Sequence, residues 1–173
     1  MILGDSDLLP YQVEGRDRIL GADCLYLGDD PGLGKTAQVI RACAHLPSDI
    51  LDRGVVIVCP ASLRENWRQE WVKWDGPDCE KYVISYQGAV ADCYGKTIKD
   101  YKKHIGLLSK TWGVVVFDEA HALKTCGGKT KRAKSGLIFN IWIERSEDEE
   151  VPDKYPRVPG ISATKTVCLS GTP

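Results

Sequence analysis

The chain has 173 residues, 43% hydrophobic and 27% charged, the composition of one globular domain able to bury a core, which excludes a disordered chain and leaves no room for a second large lobe. Lysine and arginine total 23 against 24 aspartates and glutamates, a formal net charge of −1, so no global field draws the chain to a polyanion and any nucleic-acid contact must rest on local patches. No apolar run approaches the roughly 18 residues of a membrane span, and Asp5 and Asp7 stand where a secretory signal needs a basic start and an apolar stretch, so the expected location is intracellular: cytoplasmic for a bacterial or phage-encoded protein, nuclear for a eukaryotic one.

In chain order, Pro10 to Leu20 reads as a helix with proline in its first turn, and Cys24 to Leu27 as the first strand. The next segment, Gly28-Asp29-Asp30-Pro31-Gly32-Leu33-Gly34-Lys35-Thr36, runs from that strand into a helix over 35–46. Glycines let a backbone wrap tightly enough to aim N–H groups at phosphate oxygens, and a following helix adds its positive end. Lys35 is then expected on the β and γ phosphates, with the Thr36 hydroxyl as a magnesium ligand. The strict phosphate-loop pattern wants glycine at position 29, where this chain has Asp29. A dinucleotide reading competes, since Gly32, Gly34 and Ala37 also fit G-x-G-x-x-[GA], with Asp52 twenty residues beyond Gly32. That acid precedes the second strand, Val55 to Cys59, whereas a ribose-binding acid belongs at its end.

A helix over 63–74 follows, with Ser62 and Glu65 spaced as a capping box. Leu63, Trp67, Trp71 and Trp74 fall on one helical stripe, which serves either a core face or base stacking, the core face being the commoner use. Tyr82 to Ser85 reads as a third strand, with a helix over 97–109 after it. Val114 to Phe117 is an apolar strand ending in Asp118-Glu119-Ala120-His121. At the C-terminal edge of a parallel sheet these acids face the same crevice as the glycine loop, so Asp118 can hold magnesium through water and Glu119 can polarise an attacking water. A lone acidic pair after a strand can equally be a solvated helix start. A helix is expected over 130–143. Residues 144–160 carry five acids in their first seven positions and then three prolines, a solvated loop, and Thr166 to Ser170 is the last strand. Strands alternating with helices predict an α/β fold with a mostly parallel sheet and helices on both faces. The seven cysteines are scattered singly, without C-x-x-C pairs or matching histidines, which indicates reduced thiols and no zinc site.

Taken together, these segments resemble the Swi/Snf family of superfamily-two helicase-like ATPases, which translocate on double-stranded DNA. Leu9-Pro10-Tyr11-Gln12-Val13-Glu14-Gly15 is similar to the family's adenine-recognising Q motif, and Gly28 to Thr36 to its motif I, in which aspartate at the second position is usual. Val58-Cys59-Pro60-Ala61-Ser62-Leu63 with Asn66-Trp67 resembles motif Ia, Ile84-Ser85-Tyr86 the short segment before the next helix, Asp118 to His121 motif II, and Leu169-Ser170-Gly171-Thr172-Pro173 motif III. The resemblance spans nearly the whole chain. It implies one RecA-like P-loop domain over 1–173, the N-terminal ATP-binding lobe of a DNA-dependent motor, with the 144–160 loop as an insertion and a second RecA-like lobe absent, to be met in cis or in trans.

Residue by residue, the resemblance assigns Gln12 to adenine, Gly32, Leu33, Gly34, Lys35 and Thr36 to the phosphates of ATP, and Asp118 and Glu119 to Mg2+ and water. His121, Ser170 and Thr172 are expected to couple the nucleotide to DNA. A carboxamide suits adenine because it offers both a donor and an acceptor, although Gln12 also fits a surface helix position. For duplex DNA, the helix start at Ser62 with Arg64 and Arg68 offers N–H groups and charge to phosphates. Lys124 to Lys134 holds five basic residues and no acid, more simply a solvated face than a contact. The chain departs from the family pattern at Leu9, where a basic residue is usual, at Thr125, where asparagine is common, and in the 47 residues between His121 and Leu169. Two rival readings are a single-lobe nucleotide- or DNA-binding module without turnover and an unrelated phosphate-loop kinase or GTPase.

Overall fold

The computed structural model describes residues 2–94, 106–123 and 160–171. Its strands are β1 (Cys24–Leu27), β2 (Val55–Cys59), β3 (Lys81–Ser85), β4 (Trp112–Asp118) and β5 (Ala163–Leu169). They form one sheet in the order β1-β5-β4-β2-β3, with every neighbouring pair parallel. The helices are α1 (Pro10–Gly21), α2 (Lys35–Ala44), α3 (Ser48–Leu51), α4 (Arg64–Lys73) and α5 (Tyr86–Tyr94). None among the described residues is long and apolar enough to cross a membrane.

The central strands are continuous apolar runs because both of their faces are covered. Side chains alternate between faces along a strand, so Val55, Ile57, Val114 and Val116 join a core with Ile19 of α1, Val39 of α2 and Trp67 and Trp71 of α4. Val56, Val58, Val115 and Phe117 point the other way, to Ala89 and Cys93 of α5. The tryptophan stripe therefore belongs to the core: Trp67, Trp71 and Trp74 are all buried.

The expected α/β architecture is present, with each of the five predicted strands in place and differing at its ends by three residues or fewer. Three local expectations are corrected. The capping box is absent: Leu63 N donates to Pro60 O at 2.9 Å, closing a 3-10 turn over Ala61–Leu63 that takes Ser62 off the cap position. Helix α4 starts at Arg64 with no side-chain cap, and Glu65 instead accepts from Arg68 at 3.4 Å and Gln69 at 3.3 Å. The helix expected over 97–109 falls mostly outside the described residues, but 106–109 form a turn, and the helix after β3 begins already at Tyr86. Short helix α3 was not expected. Asp52 caps its C-terminus, ahead of β2 and at the sheet edge opposite the glycine loop, which removes the dinucleotide reading. The described cysteines are free thiols. The 130–143 helix, Lys124 to Lys134, Cys126 and the 144–160 loop except Gly160 lie outside the described residues.

Candidate functional site

The parallel register carries the motif segments to one edge of the sheet. Leu27, the last residue of β1, pairs with Leu169 of β5, and Leu169 pairs with Asp118 of β4. Two strand spacings, about 10 Å, therefore separate the start of the glycine loop from Asp118 at the backbone. Gly171 folds back over the loop, where an added Cβ would lie 2.7 Å from Pro31 Cγ.

The loop has the backbone that its glycines permit. Gly32 and Gly34 have φ of +85° and +70°, a region that side chains disfavour. Gly34 is doubly constrained, since a Cβ there would sit 2.3 Å from Gln12 Nε2. Helix α2, ten residues long, starts at Lys35, so its first-turn N–H groups, Thr36's among them, have no partner within the helix and face the loop. The Lys35 ammonium donates to the carbonyls of Asp29 at 2.6 Å and Asp30 at 3.0 Å. A phosphate oxygen is a stronger acceptor for an ammonium than a carbonyl, so this constellation fits a polyphosphate.

Two buried amides steady the loop from behind. Gln12, 8% exposed, accepts from Leu9 N at 2.9 Å and donates to Leu33 O at 3.2 Å. One N–H and one lone pair of its carboxamide remain for a ligand. Gln38 of α2, missed in the sequence, donates to Asp29 Oδ2 at 3.3 Å and Leu33 O at 3.4 Å. Its Oε1 is buried with no hydrogen-bond partner among the described residues and abuts Gly15, where a Cβ would come within 1.8 Å. The available signal was a lone amide inside the apolar run Ala37 to Ile40. A shallow cleft of about 200 Å³ opens beside the loop between Tyr11, Gly15, Arg18, Asp29 and Leu33.

Asp118 ends β4 half-buried. Its Oδ2 accepts from Trp67 Nε1 at 2.8 Å, its Oδ1 from Glu119 N at 3.0 Å, and its carbonyl from the Tyr86 hydroxyl at 2.8 Å. Burial pushes the carboxyl up from its ordinary range, assisted by the Glu119 charge and opposed by the Trp67 hydrogen bond, the Glu119 backbone N–H and, more weakly, the Lys35 charge. A cation at the loop would relieve that penalty. Burial likewise raises the Tyr86 phenol, keeping it a donor. Glu119 adopts φ of +55°, rare for a side-chain-bearing residue and typical of functional turns. His121 lies on the 3-10 turn Ala120–Leu123, its Nδ1 3.1 Å from Glu119 Oε2 in a contact that lacks hydrogen-bond alignment. Ser170 is buried after β5, and its N donates to Leu27 O at 3.2 Å. Thr172 lies outside the described residues.

The geometry thus gathers Gln12, Gly32, Leu33, Gly34, Lys35, Thr36, Asp118, Glu119 and Ser170 at one edge. Thr36 and Asp118 supply the oxygen donors a magnesium ion could use. Ser62, Arg64 and Arg68 are exposed beyond β2, where Arg64 Nε reaches Ala61 O at 3.5 Å.

A sequence profile of the SNF2-related domain matches residues 21–138. The protein CHROMATIN REMODELING 19 of Arabidopsis thaliana is 32% identical over 158 residues, covering 69% of this chain and 20% of that protein. A chromodomain-helicase-DNA-binding protein 1-like of Danio rerio is 32% identical over 144 residues, covering 70% and 14%. The chain therefore spans a fifth or less of these relatives' length. The Sulfolobus solfataricus SWI2/SNF2 ATPase core, solved in complex with dsDNA, superposes with a TM-score of 0.65 at 20% identity over 96% of this chain and 32% of that one, which identifies the fold as RecA-like.

Proposed function

Because the chain belongs to the SNF2-related domain family, we propose that it is the ATP-binding lobe of a motor that couples ATP hydrolysis to movement along double-stranded DNA. The observation that supports this most is the single sheet edge shared by the glycine loop, Lys35, Asp118 and Glu119, joined through the Leu27, Leu169 and Asp118 register.

In this reading, Gly32 to Thr36 hold the phosphates through backbone N–H groups, and the Lys35 ammonium exchanges the loop carbonyls for them. Gln12 offers its remaining N–H and lone pair to the adenine edge. Thr36 and, through water, Asp118 hold magnesium, which when bound offsets the phosphate charge. Glu119 orients and polarises the attacking water. His121, Ser170 and Thr172 link this edge to DNA contacts, among them Ser62, Arg64 and Arg68. Residues 1–173 form the N-terminal lobe, 144–160 an inserted loop, and a second RecA-like lobe, in cis or trans, supplies the arginines that stabilise transferred charge, an effect worth roughly 10³ to 10⁵ in rate elsewhere. Duplex DNA as the track is favoured by the solved relative, whose name records dsDNA.

The test is ATP hydrolysis by this chain alone and joined to a second lobe of the family, with and without duplex DNA. The expected outcome is slow turnover alone, duplex-dependent turnover when joined, and loss of turnover but not of ATP binding in Glu119→Gln. Turnover indifferent to DNA in the joined protein would contradict the motor assignment.

A further inference from the structure

Asp118 is gripped from both faces of the sheet. It follows Val114 and Val116 onto the face covered by α2 and α4, and there the Trp67 indole donates to its Oδ2 at 2.8 Å. From the opposite face Tyr86, the first residue of α5, donates its hydroxyl to the Asp118 carbonyl at 2.8 Å. Both anchors are almost inaccessible, Trp67 at 1% and Tyr86 at 5% exposure. Packing alone would be served by phenylalanine at position 67. The indole N–H adds a direction: with Oδ2 held by Trp67 and Oδ1 by the Glu119 amide at 3.0 Å, the carboxylate has one rotamer available.

We propose that Trp67 is a positioning residue whose indole N–H fixes the Asp118 carboxylate and thereby sets the magnesium affinity of the nucleotide site. The proposal rests on the reading of Asp118 as the magnesium-holding acid. Outer-shell partners of metal-binding groups typically contribute on the order of 10- to 100-fold to metal affinity, because they prepay the ordering of the ligand.

The experiment measures binding of a fluorescent ATP analogue to the chain across a magnesium titration, in the native protein, Trp67→Phe and Trp71→Phe. Trp71 is an internal control of the same chemistry, buried in the same helix with its Nε1 on Pro77 O at 3.2 Å, away from Asp118. The expected result is a half-saturating magnesium concentration raised about tenfold in Trp67→Phe, with magnesium-free binding unchanged and Trp71→Phe like the native chain. Equal magnesium dependence in Trp67→Phe and the native chain, or the same loss in Trp71→Phe, overturns the proposal alone. A native chain indifferent to magnesium overturns the reading of Asp118 and the proposal with it. Should Trp67→Phe fail to fold, the native chain still decides. Its five tryptophans give five indole N–H resonances; the one displaced by Asp118→Asn is expected to move when magnesium is added to the nucleotide-loaded protein, and its standing still overturns the proposal.

Discussion

Asp5 shows how a single side chain ties the N-terminal segment to the body of the domain. It accepts from Arg41 Nε at 2.8 Å, contacts His45, and pairs with Arg16 at 3.5 Å. Arg41 in turn donates to the carbonyls of Trp74 and Asp75 at 3.0 and 3.3 Å, so α2 holds both the N-terminal turn and the end of α4. The Arg41 hydrogen bond is the main reason the Asp5 carboxyl falls from 3.8 to about 2, against the opposing effect of burial. A carboxyl whose folded pKa lies below its unfolded value adds stability that is full above the unfolded value and is lost as pH falls through the folded one. Asp5→Asn should therefore lower the melting temperature at pH 7 by about 2–4 °C, the shift expected for roughly 1 kcal/mol at a partly exposed position. The gap should shrink as the pH is lowered from about 4 towards about 2, through the interval between the unfolded and folded values, and a gap that stayed constant across that interval would remove the charge from the explanation.

At the scale of elements, α4 carries both the buried tryptophans and, on its solvent side, the arginines proposed to meet DNA. If Arg64 and Arg68 contact phosphates, replacing both by alanine should weaken duplex binding alike on every sequence and flatten the slope of log affinity against log salt by about 2. A changed sequence preference would instead indicate base contacts. The burial of this helix was legible because Trp67, Trp71 and Trp74 repeat at helical spacing. Its start was not, because Pro60 nucleates a 3-10 turn that the Ser62 and Glu65 spacing cannot register. Helix α5 escaped for a different reason: it begins directly at the end of β3 and carries Gly88, and its place is fixed by tertiary packing, with Ala89 and Cys93 buried against the sheet.

At the scale of the whole molecule, the alternation of apolar strands and helices was enough to foresee the parallel sheet, and the motif order enough to foresee which segments would share an edge. The supporting contacts were not foreseeable. Gln38 meets Gly15 across two helices, Pro31 meets Gly171 across the length of the chain, and Trp67 reaches Asp118 over 51 positions; such pairs arise only when the sheet brings distant segments together. The edge they support is proposed as a magnesium–ATP site, and Lys35 is its most exacting member because its ammonium now rests on the loop carbonyls and must transfer to phosphate. The most direct measurement is a titration of a fluorescent ATP analogue with magnesium into the native chain and Lys35→Ala. The expected result is saturable binding by the native chain and loss of most of it in the variant, with the fold intact by circular dichroism. Equal affinity in the two proteins would contradict the assignment of this edge as the nucleotide site.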